Sequence, residues 1–265
     1  MKTNNELITL ENVTKKYSGK NIIDGVTHTF YKGESIAFYG HNGCGKSTML
    51  KLISGIIPIS KGNLKYHEKL RFSYVPEKFV GMEVEMIDYL CGVARMEGVT
   101  PAVTDGLIRD FFLESMIHTR MDKLSKGSLQ KVGVIQALMA PHDVILLDEP
   151  LSGQDAESQK VFIEKMNELH SQGITIFMAC HEEKLIDAFS DRVFTIEQGK
   201  LKEIDASGDA LFSVYVRKNP ALTMRLNMRN NGEYYKLTTA ETELKKTVLG
   251  LYEDGWEIVG IEKHV

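Results

Sequence analysis

The nonapeptide Gly40-His41-Asn42-Gly43-Cys44-Gly45-Lys46-Ser47-Thr48 decides the reading of this chain. It fits G-x-x-x-x-G-K-[ST]. It stands between a short apolar run, Ser35 to Tyr39, that reads as a strand, and Lys46 to Ile53, which takes a helical pattern. In such a place glycines let backbone N–H groups turn inward around a phosphate, and the start of the helix adds a favourable dipole. Lys46 is then placed to reach the β- and γ-phosphates of a nucleotide, and the Ser47 hydroxyl to bind Mg²⁺. With glycine at about 7% of residues, the pattern should arise by accident in a chain this long on the order of one time in a hundred. Phosphate binding is the stronger reading.

A second stretch, Val144-Ile145-Leu146-Leu147-Asp148-Glu149-Pro150, supplies the expected counterpart. Its apolar run has the look of a buried parallel strand. Ending in two carboxylates, it puts Asp148 at the C-terminal edge of the sheet, where a nucleotide lies. Asp148 would hold Mg²⁺ through water, and Glu149 would polarise the attacking water as general base. A helix-capping role for both acids fits poorly, because Pro150 and Ser152-Gly153 intervene before the next helix.

Outward from these two stretches the rhythm is strand, helix, strand, which implies a parallel sheet with helices packed on it. The first forty residues read as extended, with Leu7, Thr9, Glu11 and Val13 alternating with Ile8, Leu10 and Asn12, and turns at Gly19 and Lys32-Gly33. Arg71 to Val75 is another strand, stopped by Pro76. From about Met82 to Ala140 the spacing is helical, with Ile87, Leu90, Cys91 and Ala94 on one face and Leu107, Ile108, Phe111 and Phe112 on another. A helix over Ala156 to His170 and a strand over Ile174 to Ala179 follow. After Ile204 the pattern changes to strands at Leu211–Val216, Thr223–Asn227 and Tyr234–Leu237. A helix over Glu241 to Tyr252 comes next, with Leu244, Val248, Leu249 and Tyr252 on its apolar side. A strand over Trp256 to Ile261 closes the chain.

Composition narrows the function classes. At 265 residues, 43% hydrophobic and 26% charged, the chain is long enough and apolar enough for a sizeable core. Thirty-two basic against 36 acidic residues give a net charge of −4, unlike a protein that grips nucleic acid by its phosphates. The longest apolar candidate for a bilayer span, Val132 to Leu147, is interrupted by Gln136, Pro141, His142 and Asp143. The first residues lack the apolar core of a secretory signal. Three cysteines do not form a disulfide framework, and Cys180-His181 has no second ligand pair for zinc. The expectation is a soluble cytosolic protein. The last sixty residues carry eight basic and eight acidic side chains, so their charge points to no target.

At this point the residues resemble a family. Leu124-Ser125-Lys126-Gly127-Ser128, before a helix and upstream of the Asp148-Glu149 strand, resembles the signature motif of ATP-binding cassette (ABC) ATPases. Tyr17 resembles the aromatic residue that stacks on adenine, and Tyr74-Val75-Pro76-Glu77 sits where the family has its glutamine loop. Ser152-Gly153-Gln154-Asp155 resembles the D-loop, and His181 the switch histidine. The resemblance covers Leu7 to about Ile204. It implies a P-loop α/β fold with a mixed sheet core, an antiparallel β region and a helical subdomain near 80–140. The cassette would occupy residues 1–205, and 206–265 would form a small α+β appendage. It further implies ATP and Mg²⁺ as ligands, with Glu149, His181 and Lys46 as catalytic residues. Ser47, Asp148 and Glu77 would meet the metal, and Asp155 would act in the D-loop. Two cassettes would pair head to tail, each presenting Ser125, Lys126, Gly127 and Ser128 to the γ-phosphate held by the other. A serine and glycine at a helix start offer a hydroxyl and free N–H groups for that purpose. A transmembrane permease subunit and a second cassette are the implied partners. A homodimer is the simpler arrangement, and the chain would lie on the cytoplasmic face of the membrane.

Two departures from the family pattern stand out. The signature usually reads LSGGQ, so Lys126 replaces a glycine and Ser128 the glutamine, while Glu77 stands where Gln is usual. The two together resemble a branch that serves exporters of drugs, antibiotics and bacteriocins, which makes export the expected direction. The alternatives are a soluble ABC ATPase without a permease, and a regulatory module that binds ATP with little turnover. Cys44 reads as a space-filler whose thiol, at a helix start, is a candidate for alkylation. Met82, Met86, Met96, Met116 and Met121 read as core filler. Phe79, Val80, Met82 and Val84, near the acidic Glu83, Glu85 and Asp88, read either as a groove for a permease helix or as packing of the helical segment onto the sheet.

Overall fold

The computed structural model describes residues 5–182, 185, 186, 188, 190–204, 211–217, 229–231 and 234–263. The chain divides into two compact units, Met1–Glu203 and Ile204–Val265.

In the first unit, strands β1 (Glu6–Tyr17) and β2 (Lys20–Tyr31) form a long antiparallel hairpin, and β4 (Lys61–Tyr66) adds to the free edge of β1. Sequence patterning did not mark β4. Its residues are exposed apart from a half-buried Leu64, so no apolar alternation records it. The second sheet has six strands in the order β5-β6-β7-β3-β8-β9, being β3 (Ser35–Tyr39), β5 (Phe72–Val75), β6 (Val144–Asp148), β7 (Thr175–Cys180), β8 (Arg192–Glu197) and β9 (Lys200–Ile204). The pairings β5-β6, β6-β7, β7-β3 and β3-β8 are all parallel. Every residue of β6 and β7 is buried, which is why both read as unbroken apolar runs.

One apolar core joins β1, β2, β3, β6, β7 and β8 to helix α1 (Lys46–Ile53). At its centre Phe30 meets Phe177 edge-on, with ring centroids 5.0 Å apart, and Phe38 lies parallel to Phe177. Each such ring is fully buried, a burial that stabilises by about 2–3 kcal/mol. This core fixes α1, and therefore the loop that precedes it, on the C-terminal edge of β3.

The stretch from 82 to 140 resolves into α2 (Met86–Glu97), α3 (Pro101–Asp110) and α4 (Lys126–Met139), with two 3₁₀ turns between α3 and α4. Leu90 and Ala94 are buried as expected, as are Leu107, Ile108 and Phe111. Phe112 is not. It follows the end of α3 with φ +59° and is 49% exposed. The Phe112 N–H bonds Arg109 O and the Leu113 N–H bonds Ile108 O, a Schellman closure with Phe where glycine is usual. Met86 and Met121 fill the core, whereas Met82 and Met96 are exposed, which corrects the reading of all five methionines as filler. Phe79 is half-buried, with its ring edge-on to Tyr89 and against Gly133 of α4. Of the apolar run after Glu77, only Val80, Met82 and Val84 are exposed. Helix α5 (Ala156–Ser171) follows β6.

The second unit is a four-stranded sheet in the order β11-β12-β10-β13, from β10 (Leu211–Arg217), β11 (Arg229–Asn231), β12 (Tyr234–Ala240) and β13 (Ile258–Lys263), with helix α6 (Glu241–Glu253) between β12 and β13. Its core is Val214, Val216, Leu237, Leu251 and Trp256, against which Leu244 and Val248 pack. The buried side of α6 is therefore Leu244, Val248 and Leu251, and the expected apolar residues Leu249 and Tyr252 face outward. Trp256 precedes β13 rather than starting it. The expected strand Thr223–Asn227 lies outside the described residues.

Candidate functional site

Three chain segments meet at the C-terminal edge of the parallel strands. Strand β3 ends at Tyr39, and the chain turns through Gly40, Gly43 and Gly45, all at positive φ, before α1 begins at Lys46. The Lys46 side chain is only 5% exposed, and its Nζ donates to Gly40 O at 2.7 Å and to His41 O at 3.3 Å. The same Nζ lies 3.5 Å from Glu149 Oε1. His181 Nδ1, past the end of β7, stands 2.7 Å from Glu149 Oε2. Lysine, glutamate and histidine thus stand in one line of polar contacts.

Glu149 is held there by an unusual backbone. Its φ is +49°, and its N–H donates to Ala179 O of β7 at 2.9 Å. A non-glycine residue in this region is strained, and the sheet hydrogen bond keeps it there. Glu149 Oε1 is buried and accepts no hydrogen bond. It is an acceptor without a donor, next to an ammonium.

Beside it lies the Ser47–Asp148 pair. Ser47 Oγ donates to Asp148 Oδ1 at 2.8 Å, and the Tyr74 hydroxyl, from β5, donates to Asp148 Oδ2 at 3.0 Å. Burial pushes the Asp148 carboxyl above its ordinary pKa, and the bonds from Ser47 and Tyr74 pull against that rise. Burial and the neighbouring carboxylate also push the Tyr74 phenol up, so it stays a donor. The oxygen donors of Ser47 and Asp148, with Glu77 on the cleft wall, suit a hard cation such as Mg²⁺. Among the described residues no three His, Cys, Asp or Glu side chains cluster as a metal site.

These groups open on a cleft of about 560 Å³. Of the residues singled out in the sequence, Tyr17, Asn42, Gly43, Gly45, Lys46, Ser47, Thr48, Glu77, Glu149 and His181 line it. Tyr17 is 47% exposed there, with Lys15 Nζ 5.0 Å from the centre of its ring. Cys44 is not on the wall. It packs against the core beneath, as a space-filler would.

Lys126 lines the cleft of its own chain, although the resemblance assigns it to a partner's nucleotide. Its Nζ donates to Ser152 Oγ at 3.1 Å, and Ser152 lines the same cleft. Ser125 caps α4, its Oγ accepting the Ser128 N–H at 3.1 Å, so that hydroxyl is partly committed. A Cβ on Gly127 would come within 2.5 Å of Gly153 O, which leaves only glycine room to pack there. Asp155 lies away from the cleft wall. It caps α5, accepting from the Ser158 N–H and Oγ, and pairs with Lys131 Nζ of α4 at 2.9 Å. Those bonds, the Ser158 N–H foremost, hold its carboxyl well below the usual carboxylate range. Sequence reasoning missed Ile22 and Lys131, and it quoted Tyr74 and Ser152 within motifs without giving either side chain a contact in the site. Only the position of Tyr74, one strand away from Asp148, could have hinted at any of them.

Comparison with known proteins adds the family. The ABC transporter family model matches residues 23–152. An uncharacterised ABC transporter ATP-binding protein of Methanocaldococcus jannaschii is 30% identical over 73% of this chain and 75% of its own length. A zinc import ATP-binding protein of a Ruegeria species is 31% identical over 72% of this chain and 77% of its own. A solved ATP-binding subunit of an ABC transporter superposes with a TM-score of 0.67 at 26% identity, over 75% of this chain and 90% of that one.

Proposed function

This chain belongs to the ABC transporter ATP-binding proteins, a family of ATPases, and from that premise we propose that it powers a membrane permease by closing head to tail on a second copy around ATP. Supporting this is the convergence of Lys46, Glu149 and His181, from three segments of the chain, on the wall of one cleft beside the Ser47–Asp148 pair. The loop from Gly40 to Thr48 cradles the phosphates with its N–H groups. Lys46 leaves its contacts with Gly40 and His41 for the β- and γ-phosphates. That move also frees Glu149, whose unpartnered Oε1 is then available to take a proton from the attacking water. His181 orients Glu149 and senses the γ-phosphate. Tyr17 stacks on adenine. Ser47, Asp148 and Glu77 would hold Mg²⁺, which when bound neutralises charge building on the transferred phosphoryl group. Ser125, Gly127 and Ser128 of one copy would cap the γ-phosphate held by the other. ATP then binds the closed pair better than the open one, and hydrolysis reopens it.

No helix among the described residues is long and apolar enough to cross a membrane, so the permease is a separate polypeptide in this proposal. It would dock on Val80, Met82 and Val84, which are 75%, 40% and 42% exposed. In their acidic rim Glu83 pairs with Arg120 at 3.5 Å, and Glu85 Oε2 lies 2.9 Å from His118 Nδ1. That docking would bring the chain to the cytoplasmic face of the membrane. Export, expected from Glu77 and the Lys126 signature, finds no support among the relatives, one of which is named for zinc import.

The Glu149→Gln variant tests the mechanism. With ATP it should accumulate as a dimer in sedimentation, while the parent cycles back to monomer as ATP is consumed. A variant that stays monomeric in saturating ATP, or that still turns ATP over at the parent's rate, overturns the proposal.

A further inference from the structure

Tyr17 stands at the tip of the β1–β2 hairpin, pairing with Lys20 across a two-residue turn whose Ser18 and Gly19 both take positive φ. That turn fixes the backbone at Tyr17. The ring, 47% exposed, is oriented by what it touches. Over it lies Lys15, which is only 8% exposed, and lysine is seldom buried to that degree unless its charge is met. The Lys15 ammonium donates to Pro58 O at 2.6 Å and stands 5.0 Å from the centre of the Tyr17 ring. An ammonium shielded from water is drawn to an aromatic face more strongly than an exposed one. Tyr17 lines the cleft and Lys15 does not, so the ammonium meets the ring from the protein side.

The carbonyl that Lys15 binds belongs to the segment leaving α1. There the Ile57 N–H donates to Lys51 O of α1 at 3.2 Å, and the Ser60 N–H to Thr14 O of β1 at 2.8 Å. The Lys16 N–H closes the same junction by donating to Ser60 Oγ at 3.0 Å. Lys15 therefore fastens the ring to a segment that hangs from the helix beginning at Lys46. We infer that Lys15 is a positioning residue for nucleotide binding. It holds one face of Tyr17 so that the other is already ordered, at a set spacing from the phosphate loop, when the base arrives. Ordering the ring beforehand removes a cost that binding would otherwise bear. The inference rests on the reading of Tyr17 as the platform for adenine.

Calorimetric titration of the full chain with MgATP, arranged as a double-mutant cycle, tests it. Lys15→Met keeps the stem and loses the ammonium, and should weaken MgATP about fivefold. In steady-state assays that loss should fall on KM, with kcat kept within about twofold. Lys15→Gln, which keeps a donor without the charge, should lose as much as Lys15→Met. Lys15→Arg should bind as the parent does, because a guanidinium can both donate to Pro58 O and stack on the ring. In a Tyr17→Ala background Lys15→Met should weaken ATP no further. A Lys15→Met loss that persists without the ring, or parental affinity in both Lys15→Met and Lys15→Gln, overturns the inference while leaving the cleft a nucleotide site. Parental affinity in Tyr17→Ala overturns the adenine reading and this inference with it.

Discussion

Replacing Tyr74 by Phe removes a single oxygen and probes the surroundings of Asp148 without changing their shape. That oxygen donates a 3.0 Å hydrogen bond to Asp148 Oδ2. Asp148 is only 1% exposed, so bulk water cannot take the donor's place. A hydrogen bond to a charged group contributes about 1.5–3 kcal/mol, and the ring remains to fill its own volume. The variant should therefore lose about 2 kcal/mol at neutral pH. For a unit of this size the melting temperature should fall by roughly 4–8 °C.

The pH dependence of that loss is the sharper test. Burial already raises the Asp148 pKa, and the Tyr74 bond is one of two that restrain it, so removing the hydroxyl raises it further. A carboxyl with a higher pKa folded than unfolded binds its proton more tightly in the folded state. Its contribution to stability is whole below the unfolded value of about 4 and is lost as pH rises through the folded value. The deficit of Tyr74→Phe should accordingly shrink as pH falls through the raised folded value and be largest above it. Thermal melts of parent and variant without nucleotide, across that range, measure it. A difference in melting temperature that is the same at every pH would refute the claim that Tyr74 stabilises the ionised form of Asp148.

Asp155→Ala should cost about 1–2 kcal/mol through the lost cap on α5. Because the Asp155 pKa is depressed, its stabilisation is present above about pH 4 and fades as pH falls through the lower folded value, so urea melts of parent and variant should converge in acid. Gly127→Ala puts a Cβ 2.5 Å from a backbone oxygen of the loop after Glu149, so turnover measured at saturating ATP should drop about a hundredfold as that loop shifts. Val80→Asp, at a residue 75% exposed, should leave the melting temperature unchanged and abolish copurification with membranes. Phe79→Ala should lower the melting temperature instead, because its ring packs on Tyr89 and Gly133.

What the sequence made legible was local. The phosphate loop shows because its chemistry lies within nine consecutive residues, and β6 shows because burial on both faces leaves an unbroken apolar run. The position of His181 follows from β7 in the same way. Edge strand β4 stayed hidden because an exposed strand needs no apolar alternation. The outward turn of Phe112 depends on where α3 stops, a property of one left-handed residue that spacing does not record. Leu249 and Tyr252 fit the helical period as well as Leu251 does, and only the sheet of the second unit decides which side of α6 it covers. The contacts that reasoning did not find, those of Tyr74, Ser152 and Lys131, join segments 24 to 74 positions apart. Asp155 was readable as part of a motif, but its employment as a helix cap and as the partner of Lys131 was not.

Helix α4 explains why those long-range contacts matter to the chemistry. Its Gln130 donates to Pro76 O at 2.9 Å, immediately before Glu77, and its Gly133 receives the ring of Phe79 immediately after. One turn earlier, Lys126 holds Ser152 and Gly127 abuts Gly153, and Lys131, next to Gln130, holds Asp155, all three partners being in the stretch that follows Glu149. The same rod therefore touches both loops that flank the Ser47–Asp148 pair and Glu149. A close-packed helix moves as a body rather than bending at each contact. Displacement of the Val80 ridge by a docked permease would thus be felt at Glu77 and at the Ser152–Asp155 loop together. Ligand-driven closure of the cleft would run the same linkage in reverse, since coupling between two sites is reciprocal.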